Sequence, residues 1–430
     1  MQDQQLARQQ QPSEGISDGT PAAPGAITAP SAQKRDYDYY RDILGSYPLP
    51  FAFVDIDLLE QNVREVTRRA AGKQVRLASK SIRSVPILER LFHSSPDCFR
   101  GIMCYTAAEA AFLATRGLDD LLIGYPAWHE HDIAAVASAT AATGAHITLM
   151  VDSLEHVEQV ERIANQHDVR LPLCLEIDMS LDVPGLHFGV WRSAIRTPEQ
   201  AKPIIERIMR SSHVYLDGLM GYEAQVAGVG DNFPGRSAKN AVVRRLKKTS
   251  IHAAAERRAA IAELVKSSGI TLRFVNGGGT GSIDSTRQED VVTEITVGSA
   301  FFSPALFDNY RDFRYQPAAA YAIEIVRHPQ PHIYTCLGGG YIASGSVGSE
   351  KQPQPYLPQG AKLDANEGAG EVQTPVHYSG PVSLKIGDPI FMRHSKAGEL
   401  CERFTHLVLV SAGTILGEVK TYRGDGQCFI

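Results

Sequence analysis

The sequence predicts an α/β protein: a (β/α)8 TIM-type barrel followed by a C-terminal β domain. Three observations lead there. From residue 51 onward, short β-rich apolar runs alternate with helical patterns, as in a parallel sheet covered by helices. Eight such units fit within about 250 residues, the usual size of a closed barrel. Beyond about Tyr310 the helical patterns stop and alternating strand-like runs take over. An open, doubly wound sheet would give the same alternation, so the count leaves closure undecided.

A lead-in, Pro50–Asp57, precedes the amphipathic stretch Leu58–Ala70. The eight expected strands are Val75–Lys80, Gly101–Tyr105, Asp120–Tyr125, His146–Asp152, Leu171–Asp178, Leu216–Tyr222, Arg273–Gly277 and Val292–Val297. Helical patterns between them cover Ala107–Arg116, His131–Ala142, Leu154–Gln166, Pro198–Arg210 and Asn240–Ser268. In the β domain, runs are expected at Tyr321–Val326, Ile333–Cys336, Val382–Leu384, Pro389–Arg393, His406–Val410 and Thr414–Thr421. Ser344–Pro375, dense in Gly, Pro, Gln and Ser, reads as a long functional or mobile loop. The expected division is a barrel over residues 50–305 and a β domain over 306–430 joined by 34–49. Residues 1–33 form a tail. It has almost no large apolar residues with which to offset its ordering entropy, so it reads as disordered. It also lacks the basic start and apolar core of a secretory signal.

Composition narrows the function. The 430-residue chain is 43% hydrophobic, enough for a large core. A net charge of −5 offers no basic footprint for nucleic acid or an anionic membrane. No apolar run is long enough to span a bilayer. Cys98, Cys104, Cys174, Cys336, Cys401 and Cys428 include no C-x-x-C pair. They read as the reduced thiols of a cytoplasmic protein, not a zinc ribbon or a disulfide framework.

Lys80 ends the run Val75-Arg-Leu-Ala-Ser-Lys80, at the C-terminal mouth of the first strand, where barrel active sites form. Apolar walls there ease loss of its proton and leave an amine nucleophile for a carbonyl. The plain alternative is a lysine that closes a strand and points into water. After the seventh strand comes Asn276-Gly-Gly-Gly-Thr-Gly-Ser282. Its four glycines let backbone amides face an anion, and Thr280 and Ser282 add hydroxyls. Val297-Gly-Ser-Ala-Phe301 is a second small-residue turn after the eighth strand. Either turn alone is weak. Both at the strands where (β/α)8 enzymes bind phosphate, opposite a strand-end lysine, indicate a phosphate-bearing ligand. The spacing is neither that of a Walker motif nor that of a dinucleotide fingerprint. The charge run Arg244-Arg-Leu-Lys-Lys248 reads as a solvated helix face.

Several segments together resemble the fold-type III pyridoxal-phosphate enzymes, which have an alanine-racemase-type barrel. They are Pro50-Phe-Ala-Phe-Val-Asp-Ile-Asp57, Leu77-Ala-Ser-Lys-Ser-Ile-Arg83, Met103-Cys-Tyr-Thr-Ala-Ala-Glu109, Leu175-Glu-Ile-Asp178, Gly218-Leu-Met-Gly-Tyr222, Asn276–Ser282 and Thr293-Glu-Ile-Thr-Val-Gly-Ser299. The chain is most similar to the D-threonine aldolase and D-serine dehydratase branch, especially amino-acid deaminase/aldolase proteins. The resemblance covers roughly residues 50 to 425. It implies that Lys80 carries pyridoxal phosphate as a Schiff base and later shuttles a proton. Tyr222 would lie against the pyridine ring, and Gly278, Gly279, Thr280, Gly298 and Ser299 would hold the phosphate. It also implies a homodimer in which a partner's β domain completes each site.

Two departures stand out. Where the family carries Asn-Arg-x-Gly-Val, this chain reads Leu186-His-Phe-Gly-Val190, which puts His187 in the place of the arginine at the ring hydroxyl. Where the branch uses a His-x-Asp or His-x-Cys metal pair, this chain reads Arg393-His-Ser-Lys396. His394 is kept, but a protonated lysine is no ligand. Glu399, Cys401 and, more weakly, Glu402 are the remaining partners, so a divalent metal is doubtful. The alternative is that Lys396 itself supplies the positive charge.

The resemblance thus implies a lyase acting on a D-β-hydroxy amino acid. One route is Cα–Cβ cleavage to glycine and an aldehyde, with His394 as the base. The other is deamination to a 2-oxo acid. Two rivals remain: a racemase, with Tyr341 as its second acid, and a non-catalytic cofactor carrier. The long C-terminal β region disfavours the carrier.

Overall fold

Eight parallel strands close into a barrel, which settles what periodicity left undecided. The computed structural model describes residues 34–346 and 348–430, so the expected tail, residues 1–33, lies outside the described residues. Residues Asp36–Ile430 form one compact unit. In chain order the barrel strands are Gln74–Ala78, Phe99–Cys104, Leu121–Pro126, Ile147–Val151, Leu171–Glu176, Val214–Gly221, Phe274–Gly277 and Glu294–Val297. Leu77 of the first strand stands opposite Ile102 of the second and Val297 of the eighth. Closure is completed where Val275 of the seventh strand meets Leu219 of the sixth. The strands are short, apolar and buried on both faces, as a barrel under helices requires.

Helices follow the strands where the periodicity places them. Ile56–Ala70 starts at Asp55, whose carboxylate accepts from the Leu58 amide at 3.1 Å. Ala107–Thr115 is capped by Thr106, Leu154–Gln166 by Ser153, and Pro198–Met209 by a Thr197/Gln200 capping box. The long helix, Ser237–Ser267, corrects one expectation: its charge run is not wholly solvated. Lys247 turns inward to Asp231 at 3.0 Å.

The lower barrel is filled by charge as well as hydrocarbon. Buried Arg76 donates to both oxygens of Glu294, at 2.7 and 3.0 Å, and to Asp120 at 3.0 Å. Arg273 bridges Asp120 and Asp217, and burial of Asp217 is outweighed by His146 and Arg273, which draw its carboxyl down to about 2. Deleting one member of such a network leaves an uncompensated charge, at a cost of about 3–5 kcal/mol.

The second layer is a nine-stranded, mostly antiparallel sheet. Its strands are Phe51–Asp55, Ala319–Gln330, Ile333–Leu337, Gln354–Leu357, Lys362–Leu363, Gln373–His377, Pro389–Arg393, His406–Ser411 and Thr414–Lys420. Phe51–Asp55, expected at the head of the barrel, pairs instead with Ala319–Gln330 on one side and His406–Ser411 on the other. Tyr40 of helix Tyr37–Leu44 packs on Phe53 at 5.0 Å between ring centroids and donates to Asp55 at 2.9 Å. Two other expectations change. Val382–Leu384 is not a strand, and Ser344–Pro375 is no bare loop: it carries Gln354–Leu357, Lys362–Leu363 and the start of Gln373–His377. Pro355 and Pro375 masked those strands, because a residue without an N–H argues against a ladder. No helix among the described residues is long and apolar enough to cross a membrane.

Candidate active site

A cleft of about 960 Å³, open to solvent, sits over the C-terminal ends of the barrel strands. Lys80 reaches it from the one-turn helix Ser79–Ser81, just past the first strand. Ser79 pins that turn by donating to the Met103 carbonyl at 2.9 Å, and Arg83 donates to the Lys80 carbonyl at 2.9 Å. The Lys80 amine lies 3.5 Å from the Tyr125 hydroxyl, at the end of the third strand. Arg192, on the connection after the fifth strand, is tied to Glu176 and to the Gly124 carbonyl. It stands over the Tyr125 ring at 4.8 Å. Burial alone would raise the Tyr125 hydroxyl. The Lys80 and Arg192 charges outweigh it and hold the phenol below the ordinary tyrosine value.

Tyr222 lines the cleft opposite, against Gly279, where a Cβ would come within 3.1 Å of the tyrosine ring. Burial, then the charge of Glu223, pushes its hydroxyl up to about 12. At the same end the two small-residue turns are stitched together. Thr280 Oγ1 accepts from the Ala300 amide at 3.1 Å, and the Ser81 and Ser299 hydroxyls lie 3.3 Å apart. Gly298 has no room for a side chain, since a Cβ there would stand 2.8 Å from both Ser81 Oγ and Ala78 Cβ.

The structure therefore gathers Lys80, Tyr222, Gly278, Gly279, Thr280, Gly298 and Ser299 around one cleft. The glycine amides are not all turned to an anion, however. Gly278 N–H donates to Glu223 at 3.2 Å and Gly279 N–H to Ser282 at 3.0 Å. Ser282 in turn donates to Glu223 at 2.9 Å, so its hydroxyl secures the loop. The hydroxyl-bearing side chains Ser81, Thr280 and Ser299 line this wall. No Asp or Glu lines the cleft. An amine for an aldehyde, hydroxyls at a small-residue end for phosphate, and Tyr125 and Tyr222 between them fit pyridoxal phosphate.

Two expected residues stand elsewhere. His187 rides on the hairpin Leu181–Val183 and Leu186–Phe188, bonded to Asp182 at 2.6 Å and stacked on Trp191 at 3.7 Å. It is not part of the cleft wall; Arg192 is. His394 is fully buried behind the wall, and neither ring nitrogen has a partner among the described residues. Burial, then Arg393, draws its imidazole down to about 3. Of the other nominated metal donors, Glu399 accepts from Ser344 through one oxygen and has no partner for the other among the described residues, Cys401 donates to the Ile82 carbonyl, and Glu402 pairs with Arg83. Among the described residues no three His, Cys, Asp or Glu side chains are grouped to hold a metal. Tyr341, buried against Tyr321, also stands off the cleft.

Sequence reasoning missed Arg192, Tyr125 and Ser81. Arg192 lies only five residues past His187, within reach of a pattern search that tolerates an insertion.

Residues 54–304 match the family model for the alanine racemase N-terminal domain. The chain is 24% identical over 295 residues to 3-hydroxy-D-aspartate aldolase of Paracoccus denitrificans, covering 66% of this chain and 70% of that protein. It is 25% identical over 203 residues to D-threonine aldolase of an Arthrobacter species, covering 47% of this chain and 48% of that one. In fold it resembles D-threonine aldolase from Filomicrobium marinum, with TM-score 0.72, 17% identity, and 88% and 95% of the two chains covered. It also resembles D-threo-3-hydroxyaspartate dehydratase from Delftia sp. HT23, with TM-score 0.69, 17% identity, and 88% and 98% covered. With more than half its length matched, the chain belongs to the alanine racemase N-terminal domain family, the fold-type III pyridoxal-phosphate enzymes.

Proposed function

We propose that the protein is a pyridoxal-phosphate-dependent lyase for D-β-hydroxy amino acids that cleaves Cα–Cβ to give glycine and an aldehyde. The observation that carries this reading is the Lys80 amine 3.5 Å from a phenol of lowered proton affinity, in a cleft whose far end is lined by hydroxyls. The activities named for the Paracoccus and Arthrobacter relatives support it.

Lys80 holds the cofactor through its amine until the substrate amine takes its place. Bound there, pyridoxal phosphate supplies an electron sink for the pair released when a bond to Cα breaks. Tyr125, rather than His394, is the group placed to take the β-hydroxyl proton as the aldehyde leaves. Lys80 then delivers a proton to Cα, leaving glycine. Arg192 holds Tyr125 in position, and the Ser81, Thr280 and Ser299 hydroxyls orient the phosphate. Deamination is the second outcome of the same binding mode. The racemase reading draws no support from Tyr341, which is not on the cleft wall.

Two wider readings accompany this one. The six cysteines are all free thiols, which supports a cytoplasmic location. Exposed Trp128 and Trp191, on connections leaving the third and fifth barrel strands, support a homodimer that covers the mouth.

The test is an assay of purified holoenzyme against a panel of D-β-hydroxy amino acids, scoring aldehyde, glycine and 2-oxo acid separately. Aldehyde with stoichiometric glycine is expected. Finding neither aldehyde nor oxo acid would remove the lyase reading.

A further inference from the structure

Every cation on the cleft wall but one already has a partner or a task. Lys80 holds the cofactor, and Arg192 is paired with Glu176. Lys396, just past strand Pro389–Arg393, lines the same cleft, half-buried. Among the described residues its ammonium meets only the carbonyl and hydroxyl oxygens of Ser344, each at 3.3 Å. The neighbouring acid, Glu399, is bound to that same serine hydroxyl at 3.2 Å and forms no ion pair with the lysine. Among the described residues no other carboxylate faces it, because the cleft wall has none.

An ammonium held partly out of water with no carboxylate in direct contact is costly, and a carboxylate ligand recovers that cost. The cofactor's phosphate belongs with the Ser81, Thr280 and Ser299 hydroxyls. The anion that remains to be placed in an amino-acid site is the substrate's own carboxylate. We propose that Lys396 receives the α-carboxylate of the substrate. The assignment rests on the amino-acid reading of the cleft, but not on which bond is broken.

The experiment uses holoenzyme and follows the cofactor's visible absorbance during titration with D-alanine and, separately, D-alaninamide. D-Alanine has no β-hydroxyl to lose, so the reading needs no lyase turnover. Lys396→Met is expected to weaken D-alanine binding about thirtyfold while leaving D-alaninamide within about twofold, and Lys396→Arg to recover most of the loss. Treating the wild type with a chelator is expected to leave D-alanine binding unchanged. An unaltered absorbance band and unfolding temperature certify the variants as folded.

Equal weakening of both ligands by Lys396→Met, or no weakening of either, would overturn the assignment. So would loss of D-alanine binding on chelation with recovery on adding Mn²⁺. Carboxylate discrimination without any aldehyde or oxo acid from the substrate panel would leave Lys396 in place and remove only the lyase reading.

Discussion

The Glu223 carboxylate accepts a hydrogen bond from the Gly278 amide at 3.2 Å, so the glycine-rich loop lining the cleft is set from behind. The same carboxylate takes the hydroxyls of Ser282 and Thr286 and an N–H of Arg258 at 2.8 Å. Glu223 is a positioning residue that never touches the cleft. Glu223→Gln should raise the dissociation constant for pyridoxal phosphate roughly tenfold, with a smaller effect on the KM of bound-cofactor enzyme. Equilibrium dialysis against cofactor measures it. An unchanged constant would mean the loop holds its shape without the anchor.

Lys80→Ala should abolish the visible band of purified protein and cut turnover by roughly a thousandfold or more. Borohydride reduction followed by peptide mapping supplies the check. In the wild type the label belongs on the peptide carrying Lys80, and in the variant it should be absent. A label on another lysine would displace the central assignment.

Arg192 is one of two cations that lower the Tyr125 hydroxyl. A base with a depressed pKa works above that value, so removing Arg192 should move the acidic limb of the kcat/KM profile to higher pH. The pH profile of Arg192→Leu against wild type shows the shift. His187→Ala, whose imidazole is bonded to Asp182 outside the cleft, should leave the profile in place and activity within about twofold.

Glu109 is buried and accepts from the Tyr105 amide at 2.7 Å and the Tyr422 hydroxyl at 2.8 Å. Burial outweighs those bonds and pushes its carboxyl up to about 7. The folded state therefore favours the protonated acid more than the unfolded chain does. Its contribution is complete below about pH 4.5 and is lost as pH rises through about 7. Glu109→Gln should flatten that loss, which is of order 2–3 kcal/mol at most. Thermal unfolding of both proteins at pH 5 and pH 8 is the measurement. Parallel losses in the two would contradict it.

The barrel was legible because each of its strands is buried on both faces and therefore reads as a short apolar run between helical patterns. Lys80 was legible for a related reason: a strand end in a barrel has a fixed address. The position of Phe51–Asp55 was not, since its neighbours come from far along the chain and pairing leaves no local periodicity. The place of His187 was misjudged because a hairpin carries it outward, and the chain returns with Arg192 tied to Glu176. His394 kept its motif spacing, but the backbone buries its ring behind the wall. Glu223 gave no signal, as a single buried acceptor has no period to detect.

Phe51–Asp55 is synthesised early, yet both of its edges stay bare until Ala319–Gln330 and His406–Ser411 have left the ribosome. All eight barrel strands emerge before either partner does, so the sheet acts as a latch thrown only after the barrel strands are made. A chain that stops short of His406 keeps an apolar ribbon with one open edge, the kind of surface on which nascent chains pair with one another. Only a molecule that carries His406–Ser411 covers both edges of Phe51–Asp55.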